Sequence, residues 1–324
     1  MSHLIDLSNE RANMAYIGET PWHGLGQKLT EKAPIEIWAK EAGMDHTILR
    51  SPVRFSTDMD MGLVDGLMEN RDVLYRSDNK IPLAIMSGRY NIVQPVEVLE
   101  FFRELVEQAG DYTLETAGCL NDGKKYWALA KYKQALDFGG DLIKPYLMLG
   151  TSVDGSMATV AQHTSVRVVC NNTLQMSLHA DSQDAIRVVH STKFDADAIK
   201  NQLGIERVIA DYSDDVEFLI NKALNKEQTV EIFVELVAQR DEKGNVTNEK
   251  NVKKIVGELM ESLANSNGAK LQTAHGTAWG AMNAVTHYVD FKAGSRSTNN
   301  RFNSGQFGGG AALKKKAFQS LVAA

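Results

Sequence analysis

Apolar residues recur at helical spacing in three parts of the chain. A short amphipathic helix is predicted in PIEIWAKEAG, and a longer one is predicted to begin after Pro95 and end near Gly110. The apolar positions of the longer helix are Val98, Leu99, Phe101, Phe102, Leu105 and Val106. From Asp195 to about Phe291, the patterns VEIFVELVAQ and VKKIVGELMESL flank the polar turn RDEKGNVTNEK. This part of the chain is therefore predicted to be mainly helical.

Between these regions the pattern changes to strands separated by turn signals. YTLETAGCL and KKYWALAKY flank Asn121-Asp122-Gly123, and KPYLMLGTSV and SMATVAQHTSVRVV flank Asp154-Gly155. Asp-Gly between apolar strands is a strong hairpin signal, so an antiparallel meander of at least four strands is expected from Asp111 to Cys170. A further hairpin is expected around Asp78-Asn79, and RYNIVQP is expected to be a strand up to Pro95.

The stretch RVVCNNTL combines a strand pattern with helix-capping residues. We expect the strand to end at Cys170 and the Asn-Asn-Thr residues to cap a helix running through Leu174, Met176 and Leu178. In this interpretation Cys170 is a small apolar residue that closes a buried strand. The alternative is a nucleophilic thiolate activated by His163 or His190, which would make the protein a Cys170-dependent enzyme.

These patterns predict an α+β fold in which an antiparallel β-meander packs on helices. Residues 1–194 are expected to form the α+β core, residues 195–291 a helical region, and residues 292–324 a Gly/Ser/Asn-rich basic tail with a short helix. The chain of 324 residues, 43% hydrophobic, is long enough to bury a large core. It has no apolar run that could cross a bilayer and no signal-peptide pattern, so a cytoplasmic protein without a membrane partner is expected.

Charge is distributed unevenly along the chain. The net charge is −6, but no acidic residue follows Asp290. The cations beyond that point are Lys292, Arg296, Arg301, Lys314, Lys315 and Lys316. A basic end on an acidic body is typical either of a nucleic-acid contact or of a solvated tail, and the composition does not separate the two.

Cofactor and metal motifs are missing from the sequence. The two cysteines, Cys119 and Cys170, lie far apart without a CxxC pattern, and the histidines show no HExxH spacing. GQFGGGAALKKK lacks the Lys-Ser/Thr pair of a phosphate loop, and GLGQK lacks the third glycine of a dinucleotide fingerprint. No cofactor and no metal are therefore predicted.

Basic and aromatic residues crowd the second strand of the meander. They are Lys124, Lys125, Tyr126, Trp127, Lys131, Tyr132 and Lys133. Because side chains alternate along a strand, Lys125 and Trp127 are expected to share one face. Cations beside stacking rings are what sequence-tolerant binding of single strands requires. The alternative is a hairpin with Trp127 in the core and lysines along a solvated edge.

Several ordered segments resemble the phage and plasmid-like protein family of unknown function. They are PWHGLGQ, RYNIVQPVEVLEFF, TAGCLNDGKKYWALAK, TSVDGSMAT, RVVCNNTL and GTAWGAMNAVTHYVD. The order of helix and strands between Tyr90 and Leu178 is also similar to the core of the single-strand annealing superfamily, which includes phage Red beta and Erf. That resemblance implies a bent antiparallel sheet on a helix, rings or filaments of identical subunits, and a basic groove for single-stranded DNA.

The resemblance implies that phosphates are reached by charge without base readout. The residues expected to form this interface are Arg89, Lys124, Lys125, Trp127, Lys131, Lys133, Arg167, Arg296, Arg301, Lys314, Lys315 and Lys316. The function expected is that of a phage-encoded protein of the host cytoplasm that binds and anneals single-stranded DNA as a homo-oligomer, without nucleotide hydrolysis. The alternatives are a phage protein that binds a host factor, and the Cys170-dependent enzyme.

Overall fold

The computed structural model describes residues 11–18, 25–59, 62–109, 111–167, 172–175, 186–192, 195, 197–199, 204–295, 301, 304–305 and 308–323. The chain forms two compact units, each made of three segments that alternate along the sequence. The first unit contains residues 1–133, 147–162 and 185–203, and the second contains residues 134–146, 163–184 and 204–324. The division into a core of residues 1–194, a helical region of residues 195–291 and a tail of residues 292–324 stays a prediction.

The larger sheet contains the predicted antiparallel meander but is mixed, because its first two strands run parallel. Its strands are β1 (Met14–Tyr16), β2 (Gln27–Lys28), β6 (Tyr112–Leu120), β7 (Lys125–Tyr132), β8 (Leu136–Phe138), β9 (Asp141–Ser152), β10 (Thr159–Arg167), β11 (Asn172–Gln175) and β12 (Ile186–Val188). Their order is β11-β10-β9-β7-β6-β1-β2, with β12 on β10 and β8 on β9. The β6–β7 turn forms at the predicted Asn121-Asp122-Gly123, where all three residues have positive φ. The fold class is therefore α+β, as predicted.

The helix predicted after Pro95 is α2 (Pro95–Ala109), which contacts β6 and β7. Its residues Leu99, Phe101, Phe102 and Leu105 are all at most 4% exposed, so the helical spacing of the apolar residues corresponds to the buried face. The shorter predicted helix is α1 (Ile35–Glu41), which buries Trp38. Both helices belong to the first unit.

A second, three-stranded sheet in the first unit contains a long hairpin that the sequence analysis did not predict. Strands β3 (Ile48–Met59) and β4 (Gly62–Arg76) pair along their length, and β5 (Pro82–Ser87) pairs with residues 71–75 of β4. Beyond that point β3 and β4 form a two-stranded arm, residues 54–59 and 62–67. The β4–β5 turn lies at the predicted Asp78-Asn79.

The second unit is mainly helical, as predicted for residues 195–291. Its long helices are α3 (Ile205–Asn221), α4 (Lys226–Val237), α5 (Glu249–Asn265), α6 (Ala278–His287) and α7 (Gly309–Ala323), and a π-helix (Tyr288–Lys292) follows α6. Helix α6 lies in the core, with Trp279, Met282 and Val285 buried. Helix α7 corresponds to the short helix predicted in the basic tail, but Phe318 and Leu321 bury it in the same core.

Two local predictions were wrong. The segment RYNIVQP forms a turn and coil from residue 88 to residue 94, instead of a strand. The helix predicted after Cys170 is also absent from the described residues there, because Asn172–Gln175 is strand β11, which pairs with β10 from Thr164 to Arg167. Pairing with a neighbouring strand outweighed the capping signal of the asparagines. Cys170 itself lies outside the described residues.

No helix in the described part of the chain is long and apolar enough to cross a membrane.

Candidate nucleic-acid interface

Strand β7 separates a buried face from a half-exposed one. Tyr126, Ala128 and Ala130 are at most 1% exposed, whereas Lys125 and Trp127 are half-buried on the opposite face. This alternation follows the pleat of the strand, as the sequence predicted. Tyr126, rather than Trp127, is the aromatic side chain fully buried in the core.

The Trp127 ring lies over a cross-strand glycine. Trp127 pairs with Gly118 of β6, and a Cβ added to Gly118 would be 3.3 Å from the Trp127 ring. The ring also packs beside Met14 and Leu120. Glycine therefore lets the indole approach the backbone of β6 closely, and the Trp127 side chain stays half-exposed.

A buried polar cluster positions the β6–β7 turn. The Tyr126 hydroxyl and the His46 Nε2 are 2.7 Å apart, and a Cβ on Gly123 would lie 3.1 Å from the Arg76 guanidinium. Arg76 is 1% exposed and donates two hydrogen bonds to Asp78, Nε–Oδ1 at 3.0 Å and Nη2–Oδ2 at 2.7 Å. Burial raises the pKa of the Asp78 carboxyl, but the hydrogen bond and charge of Arg76 outweigh burial and hold this pKa below its usual value.

The lysines of this hairpin differ in their electrostatic partners. Lys131 lies 3.6 Å from the Glu115 carboxylate, which neutralises part of its charge. Lys124 and Lys125 are half-buried and Lys133 is exposed. Within the described ranges none of these three forms an ion pair, so their charges are available to an anion.

Arg89 is exposed and lies next to a fixed aromatic residue. The Tyr90 hydroxyl donates to the Ser152 carbonyl at 2.8 Å, and the Tyr90 ring stacks on His190 with 4.4 Å between centroids. Burial raises the pKa of Tyr90 to about 12, so the phenol stays protonated. Arg89 itself has no ion pair in the part of the chain that the structure describes, and its backbone is held by this anchored neighbour.

The predicted residues of the second unit have partners inside the protein. Lys314 is 2% exposed and donates to Asp290 Oδ1 at 2.6 Å. Lys316 donates to the Glu235 and Leu236 carbonyls at the end of α4, at 2.7 and 3.0 Å.

Arg301 donates to the Ala293 carbonyl at 3.2 Å, and Lys315 is half-buried and has a partner of its own. A lysine at a helix carboxyl end satisfies orphan carbonyls and the helix dipole. These contacts give Lys314 and Lys316 a structural role.

Two of the predicted interface residues, Arg296 and Arg167, give no information about the geometry of the interface. Arg296 lies outside the described residues. Arg167 is the last residue of β10, where its backbone pairs with Asn172. The structure thus places Arg89, Lys124, Lys125, Trp127, Lys131 and Lys133 in the first unit, and Arg301, Lys314, Lys315 and Lys316 in the second.

Sequence reasoning missed His46, Arg76 and the arm of β3 and β4. His46 and Tyr126 are 80 positions apart, and no local pattern pairs them. An arginine such as Arg76 is ordinarily solvent-exposed, so only the tertiary structure shows that it is buried.

Comparison with known proteins gives a family but no activity. A family model described as a domain of unknown function, DUF932, matches residues 82–305, which is more than half of the chain. Neither the curated proteins nor the solved structures provide a match. The matched region begins at β5, includes the β7 hairpin, and ends after the π-helix. The chain therefore belongs to the DUF932 family, whose function is unknown.

Proposed function

We propose that this protein binds single-stranded DNA, assembles into homo-oligomers, and promotes the pairing of complementary strands without hydrolysing nucleotide. In this proposal it is encoded by a phage and acts in the host cytoplasm. The proposed reaction rests on the resemblance of the sequence between Tyr90 and Leu178 to the annealing superfamily. The half-exposed face of β7 supplies the binding surface.

One observation carries the proposal. Lys125 and the part-accessible Trp127 share a face of β7, while Lys124 and Lys133 flank the strand without ion pairs among the described residues. Lysine side chains can bind the phosphates of a DNA strand while a neighbouring aromatic ring stacks on its bases, and neither contact requires a particular sequence. Arg89 adds a fourth uncompensated cation in the same unit.

The arm is the element that we assign to contacts between copies. Its neighbourhood exposes Phe55 (52%), Leu67 (55%), Met68 (47%) and Ile85 (56%). A two-stranded hairpin is only marginally stable alone in water, and β3, 12 residues long, lies at the edge of its sheet. A second copy that covers these side chains would bury the exposed apolar surface and pair with the edge of β3.

The first test is binding of a fluorescent single-stranded oligonucleotide at several salt concentrations, with sizing of the complex. Salt-sensitive binding in a large assembly, followed by faster pairing of complementary strands, is expected. Absence of binding at low salt would refute the proposal. Binding that does not accelerate pairing would reduce it to a single-strand binding protein.

The assembly is tested separately with Phe55→Ser combined with Leu67→Ser. Light scattering should show a smaller species than the unmodified protein forms, and Glu69→Gln, exposed on β4 next to the arm, is the control. An unchanged mass would remove the arm from the assembly.

A protein partner is the second candidate function, and the same exposed arm favours it. It predicts a stable complex with a host protein and no DNA binding. The two functions are separated by the oligonucleotide titration. The thiol-enzyme alternative depends on Cys170, which lies outside the described residues.

A further inference from the structure

A cavity lies within the second unit, far along the chain from β7. It has a volume of about 650 Å³ and is lined by the start of α4, the last two turns of α5 and the segment from Ala269 to Thr277. This volume is within the range of small-molecule sites. The family match includes all of these segments.

The inner surface of the cavity is aliphatic. Its apolar lining residues are Leu224, Met260, Leu263, Ala264, Ala269 and Ala274. The three alanines leave space that longer side chains would fill. Among the described lining residues there is no Phe, Tyr or Trp, and the imidazole of His275 is exposed, so the inner surface offers mainly van der Waals contact to an alkyl chain.

Positive charge lies at the rim. Lys226 and Lys270 line the cavity and are exposed, as is the imidazole of His275, and no carboxylate is among the described residues that line it. Neither lysine forms an ion pair within the described residues. Glu227 is exposed in the same turn as Lys226 but does not line the cavity. Uncompensated cations at an apolar opening attract an anion from solution.

The walls are held in place by hydrogen bonds. Leu224 N donates to the Gly276 carbonyl at 2.9 Å, and Ala278 N donates to the Lys222 carbonyl at 2.8 Å. The Thr273 hydroxyl donates at 2.7 Å to Asp141, which is 1% exposed. A cavity fixed in this way loses little entropy when a ligand enters.

We infer that this cavity binds a small amphipathic anion, an alkyl chain with a carboxylate head, with the chain against the alanine and leucine side chains and the head among Lys226, Lys270 and His275. The aliphatic lining selects the chain, and the rim selects the charge. This site is independent of the proposed DNA function, since its residues are not used there.

The test is calorimetric titration of the full chain with octanoate, octanol and adenosine monophosphate. Octanoate is expected to bind one per chain, and octanol at least tenfold more weakly because it lacks the charge. Equal affinity for octanol would show that the rim does not recognise an anion. Tighter binding of adenosine monophosphate would refute the aliphatic assignment.

Variants locate the site. Lys226→Gln with Lys270→Gln is expected to weaken octanoate binding about tenfold, whereas the matched pair Lys250→Gln with Lys253→Gln, exposed on α5, should have no effect. Ala264→Trp, at an exposed helix position, should abolish binding by filling the cavity, with helicity checked by circular dichroism. Ala269→Leu fills the cavity from the opposite wall. Octanoate binding unchanged in both filled variants would overturn the inference.

Discussion

The salt dependence of DNA binding is the sharpest test of the β7 interface. Release of counterions from single strands gives a slope of about −0.7 per neutralised phosphate in a plot of log K against log salt. Four uncompensated cations, Arg89, Lys124, Lys125 and Lys133, therefore predict a slope of about −2.8, and affinity should fall about fiftyfold between 50 and 200 mM salt. Lys124→Gln with Lys125→Gln should reduce the slope to about −1.4 and the loss to about sevenfold.

The assay is fluorescence anisotropy with a labelled oligonucleotide at four or more salt concentrations. The matched control is Lys250→Gln with Lys253→Gln on α5, which makes the same change in net charge and should retain the original slope. Equal slopes for the two double variants would show that only the total charge matters. That result would refute the assignment of phosphate contacts to the β6–β7 hairpin.

Two further predictions concern the second unit. Lys314→Ala removes the cation that pairs with the Asp290 carboxylate, so the free energy of unfolding measured in urea should fall by about 3–5 kcal/mol. A fall of less than about 1 kcal/mol would contradict a buried pair. A Cβ on Gly280 would lie 1.8 Å from the Ala274 carbonyl oxygen, so Gly280→Ala should lower the free energy of unfolding by about 1–3 kcal/mol or more. Gly257 on α5 has open space around it, so Gly257→Ala should raise the free energy of unfolding by about 0.5–1 kcal/mol. The same thermal or urea melts measure both variants, and effects of equal sign would refute the packing argument.

The exposed arm connects the fold to the proposed assembly. The family match begins at residue 82, after β3 and β4, so the arm lies outside the matched region. The smaller masses expected for the arm variants would support an assembly element outside the matched region.

The sequence by itself determined the elements whose signals are local. The apolar spacing after Pro95 gave α2 because helix geometry places residues three and four apart on one face. The Asn121-Asp122-Gly123 turn gave the β6–β7 hairpin because all three residues tolerate positive φ. The shared face of Lys125 and Trp127, opposite Tyr126, followed from the strand period alone.

Only the tertiary structure decided the features that depend on distant partners. Asn172–Gln175 became a strand because β10 offered an edge for pairing, although its asparagines are suited to a helix cap. Lys314 looked like a free cation of a basic tail, but packing of α7 placed it beside Asp290. Arg76, His46 and Tyr126 converge from separate segments, and the alanine-lined cavity forms where two helices and a connecting segment meet. Local patterns report on neighbours along the chain, whereas burial and ion pairing are set by neighbours in space.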